Sequence, residues 1–155
     1  MKIKNIIENL DCNVKNGSVN QEIENLCYDS RKAGKDSLFV AMTGAETDGH
    51  AYIEKAYEQG CRAFAVEKEC SLPEDATVIV FKNTRVALSG MSANFFNHPS
   101  KEIDVIGITG TKGKTSTTYI VRALLNGAGY ETGLIGTVGA EWKDKHEATV
   151  NTTPE

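Results

Sequence analysis

Val105-Ile-Gly-Ile-Thr-Gly-Thr-Lys-Gly-Lys-Thr-Ser-Thr-Thr118 decides how this 155-residue chain is read. Val105 to Ile108 is an apolar run of the buried-strand type. Gly110 to Gly113 is a glycine loop. Lys114 and Thr115 follow, and an apolar-periodic segment predicts a helix from about Thr115 to Leu125. Its expected buried face is Ile120, Val121, Leu124 and Leu125, and Gly127 and Gly129 end it. Strand, glycine loop, Lys-Thr and helix, in that order, is the layout of a nucleotide-phosphate site. Glycines let the backbone turn and approach phosphate oxygens. The loop amides and the helix N-terminus supply partial positive charge. Lys114 adds a full charge for the β- and γ-phosphates, and the Thr115 hydroxyl is a candidate Mg²⁺ ligand. The loop departs from the general template G-x-x-x-x-G-K-[ST], whose first glycine would fall on Ile108. An ordinary glycine-rich turn with an exposed lysine is the alternative. The strand and helix signals on the correct sides favour phosphate binding.

Composition narrows the class. With 40% hydrophobic and 25% charged residues, the chain reads as an ordinary globular protein. A net charge of −4 gives no electrostatic case for nucleic acid or an anionic membrane. The apolar runs are too short to span a bilayer. Met1 to Leu10 lacks the apolar core and cleavage site of a secretory signal. It reads as an amphipathic helix with Ile3, Ile6, Ile7 and Leu10 on one face. The spacing of Cys12, Cys27, Cys61 and Cys70, and of His50, His98 and His146, argues against a zinc site. The expectation is reduced thiols in a cytoplasmic protein, with Cys27 and Cys61 packed in a core.

Outward from the loop, the chain reads as two α/β units. After a Gly/Asn/Asp-rich stretch from Asp11 to Asn20, strands are expected at Ile23–Tyr28, Ser37–Met42, Ala63–Val66 and Thr77–Phe81. Thr43 to Gly49 is a loop, followed by a helix from His50 to Gln59. Thr84 is the expected N-cap of a helix running to about Phe96. The break at His98-Pro99-Ser100 is the expected boundary, dividing a domain of residues 1–100 from one of 101–155. The second unit should hold a strand from Ile103, the phosphate loop, its helix and a strand from Thr132 to Val138. Nucleotide-binding sheets need several parallel strands covered on both faces. One strand–loop–helix–strand piece is too little, so the sequence predicts the front part of a longer protein.

Three stretches carry a family resemblance. Thr109-Gly-Thr-Lys-Gly-Lys-Thr115 resembles the T-G-T-N-G-K-T loop of the Mur ligases, ATP-dependent amide-bond-forming enzymes of peptidoglycan synthesis. That loop alone would also suit folylpolyglutamate and cyanophycin synthetases. Tyr28-Asp-Ser-Arg31, Asp36-Ser-Leu-Phe-Val-Ala-Met-Thr-Gly44 and Asp48-Gly-His50 are similar to the UDP-binding N-terminal domain of the MurE type. Asn151-Thr-Thr-Pro154 resembles the N-T-T-P stretch of the same enzymes. The resemblance covers essentially the whole chain. It implies a small UDP-binding α/β domain, followed by the first strand–P-loop–helix–strand part of a central ATP-binding domain.

The implied activity is addition of a diamino acid, L-lysine or meso-diaminopimelate, to UDP-MurNAc-L-Ala-D-Glu. ATP activates the D-Glu carboxylate as an acyl phosphate, which the amine then attacks. The resemblance implies a cytoplasmic, monomeric enzyme with these substrates as partners and no insertion in a membrane. It implies ATP at Gly110, Thr111, Lys112, Gly113, Lys114, Thr115 and Ser116, with Lys114 catalytic and Thr115 on Mg²⁺. It implies uridine-end contacts at Tyr28, Ser30, Ala45, Glu46 and Thr47. Asn151, Thr152 and Thr153 would meet the muramoyl-peptide end, with Glu155 beside them. Lys112 departs from the family's usual Asn. The family's further Mg²⁺-binding glutamate, carbamylated lysine and C-terminal domain would lie beyond residue 155.

Plainer readings stand beside these. Asp29-Ser30-Arg31 alone would also suit a turn with a surface ion pair. His50 has a capping or packing role as readily as a catalytic one, and is not assigned as a base. Trp142 and Tyr130 read as packing residues, and Lys143–His146 as a hairpin tip. At the level of activity, the alternatives are a nucleotide-sugar-binding piece without turnover, or another ligase of this kind, such as the MurF type.

Overall fold

Alternate residues of each central strand in the first half of the chain serve two different cores. The computed structural model describes residues 1–44, 47–68 and 70–148. The chain divides into two units, Met1–Glu102 and Ile103–Glu155.

In the first unit β2 (Asn25–Cys27), β3 (Ser37–Val40), β4 (Ala63–Val66) and β5 (Thr77–Phe81) run parallel, and β1 (Cys12–Asn16) closes the β5 edge antiparallel. The order is β1-β5-β4-β3-β2. Leu38, Val40, Ala63, Ala65, Ile79 and Phe81 pack against α1 (Ile3–Ile6) and α3 (Thr84–Phe95), meeting Ile3, Ile6, Ala87, Leu88 and Met91. Phe39, Ala41, Phe64, Val66 and Val78 pack on the other face with Ile53 and Ala56 of α2 (Ile53–Glu58). Helices on both faces explain why β3 and β4 are apolar at every position, since parallel strands are buried on both sides. The Phe39 and Phe64 rings meet edge to face, 6.3 Å between centroids.

Several expectations change in this unit. The N-terminal helix is a single turn, although Ile3 and Ile6 are fully buried as its apolar face requires. Cys12–Asn16, inside the Gly/Asn/Asp-rich stretch, is an edge strand. Its inward residues Cys12 and Val14 alternate with Asn13 and Lys15, a short period-two pattern obscured by the polar residues around it. The helix expected from His50 begins as a 3₁₀ turn, Gly49–Tyr52, and becomes α-helical at Ile53. Asn83, not Thr84, caps α3: its side chain accepts from the Val86 N–H at 2.9 Å. Thr84 is fully buried and turns its hydroxyl inward.

The second unit holds α4 (Lys114–Gly127) and a three-stranded antiparallel sheet, β6 (Gly133–Gly136), β7 (Gly139–Trp142) and β8 (Lys145–Glu147). Glu141 on β7 ties this sheet to α4. It accepts from the Tyr119 hydroxyl and from Arg122 Nη1, each at 2.6 Å. The Lys143–Asp144 turn joins β7 and β8, as a hairpin tip should. The expected strand at Val105–Ile108 is absent, with Val105 70% and Ile106 61% exposed. A parallel strand is defined by neighbours, and among the described residues none pairs with it. The expected buried face of α4 is only partly covered: Val121 and Leu125 are half-buried, Ile120 and Leu124 exposed. The expected strand from Thr132 is shorter and turns back in a hairpin with β7. Tyr130 is two-thirds exposed rather than packed, while Trp142 carries the Lys145 ammonium over its ring at 4.6 Å.

Candidate functional site

In an open α/β sheet the carboxyl ends of the parallel strands are where loops converge and ligands bind. At that edge of the first unit lie Tyr28–Lys32 after β2, Thr43, Gly44 and Thr47 to His50 after β3, Glu67 and Lys68 after β4, and Asn83 and Thr84 after β5. The chemistry of each segment is local. Asp29 caps a 3₁₀ turn, Ser30–Lys32, through the Arg31 N–H, and clamps the Arg31 guanidinium at 2.7 Å. The Arg31 side chain and backbone N–H together hold the Asp29 carboxyl down to about 2. Ser30 is buried beneath this turn and Tyr28 is half exposed. Of the candidates here, Ser30 opens this turn and Tyr28 precedes its cap.

Asp48-Gly49-His50 is a second cap of the same design. Asp48 accepts from the His50 N–H at 3.0 Å and from His50 Nδ1 at 2.6 Å. These bonds, the backbone one first, hold the Asp48 carboxyl down to about 2. Gly49 approaches the end of β3 so closely that a Cβ would lie 2.7 Å from the Met42 nitrogen and 2.9 Å from its oxygen. No side chain fits there without moving the backbone. His50 Nε2 accepts from the Glu67 N–H at 2.9 Å, so with Nδ1 donating to Asp48 the ring is the neutral Nδ1–H tautomer. Its role is capping and bridging.

Sequence reasoning did not single out Glu67. Its carboxylate accepts from the Thr43 hydroxyl (2.9 Å), the Thr84 N–H (2.9 Å) and the Thr84 hydroxyl (3.0 Å). The Thr84 N–H, then the two hydroxyls, hold this carboxyl below its ordinary range, against the opposing effect of partial burial. A usable signal was present: Glu67 is the first charged residue after the apolar Ala63–Val66 strand. Of the loop candidates Ala45, Glu46 and Thr47, the first two lie outside the described residues. Thr47 is exposed, and its carbonyl accepts from the Gly44 N–H at 2.9 Å.

The phosphate loop of the second unit is built as a helix start without a side-chain cap. Gly113 stands at the N-cap position with φ +77°, a conformation that favours glycine and leaves no side chain over the first turn. Lys114 Nζ reaches back to the Gly110 carbonyl at 2.8 Å, and the Thr118 hydroxyl donates to the Lys114 carbonyl. Gly110, Thr111, Lys112, Gly113, Thr115 and Ser116 are exposed around it. An uncapped helix N-terminus with a lysine curled over it fits a polyphosphate. Among the described residues no group of three carboxylate, cysteine or histidine side chains gathers to hold a metal. A Mg²⁺ bound by Thr115 and phosphate oxygens fits this arrangement better than an all-protein cage. Asn151, Thr152, Thr153 and Glu155 lie outside the described residues. No described helix is long and apolar enough to cross a membrane.

Residues 22–109 match the family model described as Mur ligase family, catalytic domain, and residues 108–155 match the Mur ligase middle domain. Relatives named UDP-N-acetylmuramoyl-L-alanyl-D-glutamate–2,6-diaminopimelate ligase align with the whole chain. The one from Clostridioides difficile is 44% identical and the one from Clostridium perfringens 39% identical. The chain spans 32% of the length of each, about a third. A solved structure bearing the same enzyme name superimposes with a TM-score of 0.68 at 18% identity, covering 95% of this chain and 30% of the other, a likeness of fold.

Proposed function

The chain belongs to the Mur ligase family, and on that premise we propose that it carries the substrate-binding and phosphate-loop parts of a diaminopimelate-adding ligase. The observation that carries this reading is the end-to-end alignment, at 39% and 44% identity, with enzymes named for that reaction. In this reading residues 1–100 bind UDP-MurNAc-L-Ala-D-Glu at the carboxyl edge of the first sheet. Tyr28, Ser30, Ala45, Glu46 and Thr47 lie at the uridine end, and Asn151, Thr152 and Thr153 at the muramoyl-peptide end. Residues 101–155 begin the ATP-binding domain. A reaction on cytoplasmic nucleotide precursors puts the protein in the cytoplasm.

A carboxylate is a poor electrophile, so the D-Glu side must be activated before an amine can attack it. Transfer of the ATP γ-phosphoryl gives an acyl phosphate. The amine of diaminopimelate adds to its carbonyl, phosphate leaves, and an amide forms. The chain's own contribution is electrostatic. The α4 N-terminus and the loop amides face the phosphates. Lys114 exchanges its Gly110 carbonyl contact for the β- and γ-phosphate oxygens. Thr115 would hold Mg²⁺, which neutralises charge on the transferring group. Lys112 adds a second cation beside the loop.

Spanning about a third of its relatives' length, this chain alone is expected to bind and not to turn over. Calorimetric titration with UDP-MurNAc-L-Ala-D-Glu and with Mg-ATP tests the reading. Binding of the UDP-sugar, weakened by Ser30→Ala, is expected. Lys114→Met should leave the thermal midpoint unchanged while lowering ATP affinity about tenfold or more, the loss of one charge-assisted contact. No response to the UDP-sugar together with tight ATP binding would sink it.

A further inference from the structure

We propose that the phosphate loop divides its work between two lysines, Lys112 capturing the polyphosphate from solution and Lys114 holding it once bound, an inference that rests on the nucleotide reading above. The two side chains stand differently in one short loop. Lys114 is half-buried, and its ammonium donates to the Gly110 carbonyl at 2.8 Å. It must leave that oxygen before it can serve a phosphate. Lys112 is exposed, and among the described residues no hydrogen bond or ion pair engages its side chain. Its charge acts on an approaching anion without any rearrangement. Gly113, with φ +77°, stands between them, so Lys112 belongs to the loop and Lys114 to the first turn of α4.

Charge around the loop is one-sided. From Val105 to Tyr130 the only charged side chains are Lys112, Lys114 and Arg122, in a chain whose net charge is −4. Arg122 is neutralised by Glu141 at 2.6 Å. The first turn of α4 holds no acidic residue, so no side chain of that turn offsets the partial positive charge of the helix end. Two lysines and that helix end remain, a small positive field on an otherwise acidic chain. Such a field speeds encounter with a polyanion. Exposure then decides which lysine does what. An exposed cation is hydrated and screened by salt, and it adds little to the lifetime of a complex. It acts on association, as rim charges do. A half-buried ammonium makes charge-assisted bonds that must break before the ligand leaves. Metal-free ATP carries more negative charge than Mg-ATP and should feel Lys112 more.

The test titrates this chain with ATP, with and without Mg²⁺, and with inorganic tripolyphosphate, at about 0.05 M and about 0.5 M salt. Line shapes of the Gly110 and Gly113 amide signals in NMR yield the affinity and the dissociation rate, and from these the association rate. Lys112→Asn should slow association about threefold at the lower salt and leave dissociation unchanged, the scale of one exposed charge. The deficit should be larger for metal-free ATP than for Mg-ATP and should vanish at the higher salt. Lys112→Arg should behave like the unaltered chain. Lys114→Met should instead speed dissociation about tenfold, at both salt concentrations. An unchanged association rate in Lys112→Asn overturns the division of labour and leaves the nucleotide reading standing. So does a loss that persists in full at the higher salt, or one shared by Lys112→Arg, because the exposed charge would then not be its cause. Failure of the unaltered chain to bind ATP and tripolyphosphate alike sinks the nucleotide reading itself, and the division of labour with it.

Discussion

Replacing Thr84 by valine removes one buried hydroxyl and almost nothing else. The two side chains have nearly the same shape, and both are β-branched with similar helix propensity. The residue is fully buried. Its hydroxyl lies 2.9 Å from the Ala41 carbonyl and 3.0 Å from Glu67 Oε1. One proton serves both acceptors, so the methyl group leaves both short of it. Glu67 keeps the Thr84 N–H and the Thr43 hydroxyl, which limits the damage on that side. Leaving a buried acceptor unsatisfied costs about 1–3 kcal/mol, so the expected loss is about 2 kcal/mol. In a unit of this size each kcal/mol moves the midpoint by roughly 4–8 °C, giving a fall of roughly 8–16 °C. Asn83→Ala is the companion variant. Asn83 is the exposed N-cap of α3, and its loss should cost about 1 kcal/mol. Thermal and urea unfolding followed by far-UV circular dichroism measures both, with an unchanged urea slope showing that stability alone moved. Trp142, the single tryptophan, reports the second unit by fluorescence. If Thr84→Val cost only a few tenths of a kcal/mol while Asn83→Ala cost more, the inward hydroxyl would be idle and the account of this edge wrong.

Two further outcomes follow from the same geometry. Asp29 and Asp48 titrate near 2 in the folded chain, below the ordinary carboxylate range. The stability they contribute is therefore present above about pH 4 and is lost as pH falls through about 2. Carboxyl NMR titration should show both low values, and Asp48→Asn should flatten its share of the acid transition. Cys61 is fully buried, and burial pushes its thiol up. Cys27 is nearly as buried and donates to the Asp29 carbonyl. A thiol-disulfide reagent should modify half-buried Cys12 and Cys70 first, and Cys27 and Cys61 only as the unit opens. Early labelling of Cys61 would contradict the packing of β4 against α2.

Much of the first unit was legible because its signals are local. Ala63–Val66 and Val78–Phe81 are uninterrupted apolar runs, and strands form over Ala63–Val66 and Thr77–Phe81 as expected. Ser37–Val40 lies within its expected range. Asp29 and Asp48 announce turns that the structure shows as caps. What escaped was long-range. Cys12–Asn16 is a strand only because β5 lies beside it. Thr84 follows Asn83, and both are good caps on paper. Which one turns inward is decided by Ala41 and Glu67, at the ends of other strands. Glu67 itself looks like any surface acid until Thr43, His50 and Thr84 are brought around it.

The second unit makes the same point from the opposite side. Its helix start needs no distant partner. Gly113 takes a left-handed turn, Lys114 folds back to Gly110, and α4 propagates from there by its own backbone bonds. That feature was readable from a few consecutive residues, and it is present. Val105 to Ile108 is just as continuous an apolar run, yet those residues pair with no other described strand. An apolar run states a preference for burial between neighbours, and only neighbours make it a strand. A helix N-terminus, by contrast, carries its charge and its open amides wherever the helix forms. The proposed phosphate-binding half is therefore encoded locally, within Gly110 to Ser116. The proposed nucleotide-sugar half depends on four strand ends meeting, and single substitutions there should act at a distance.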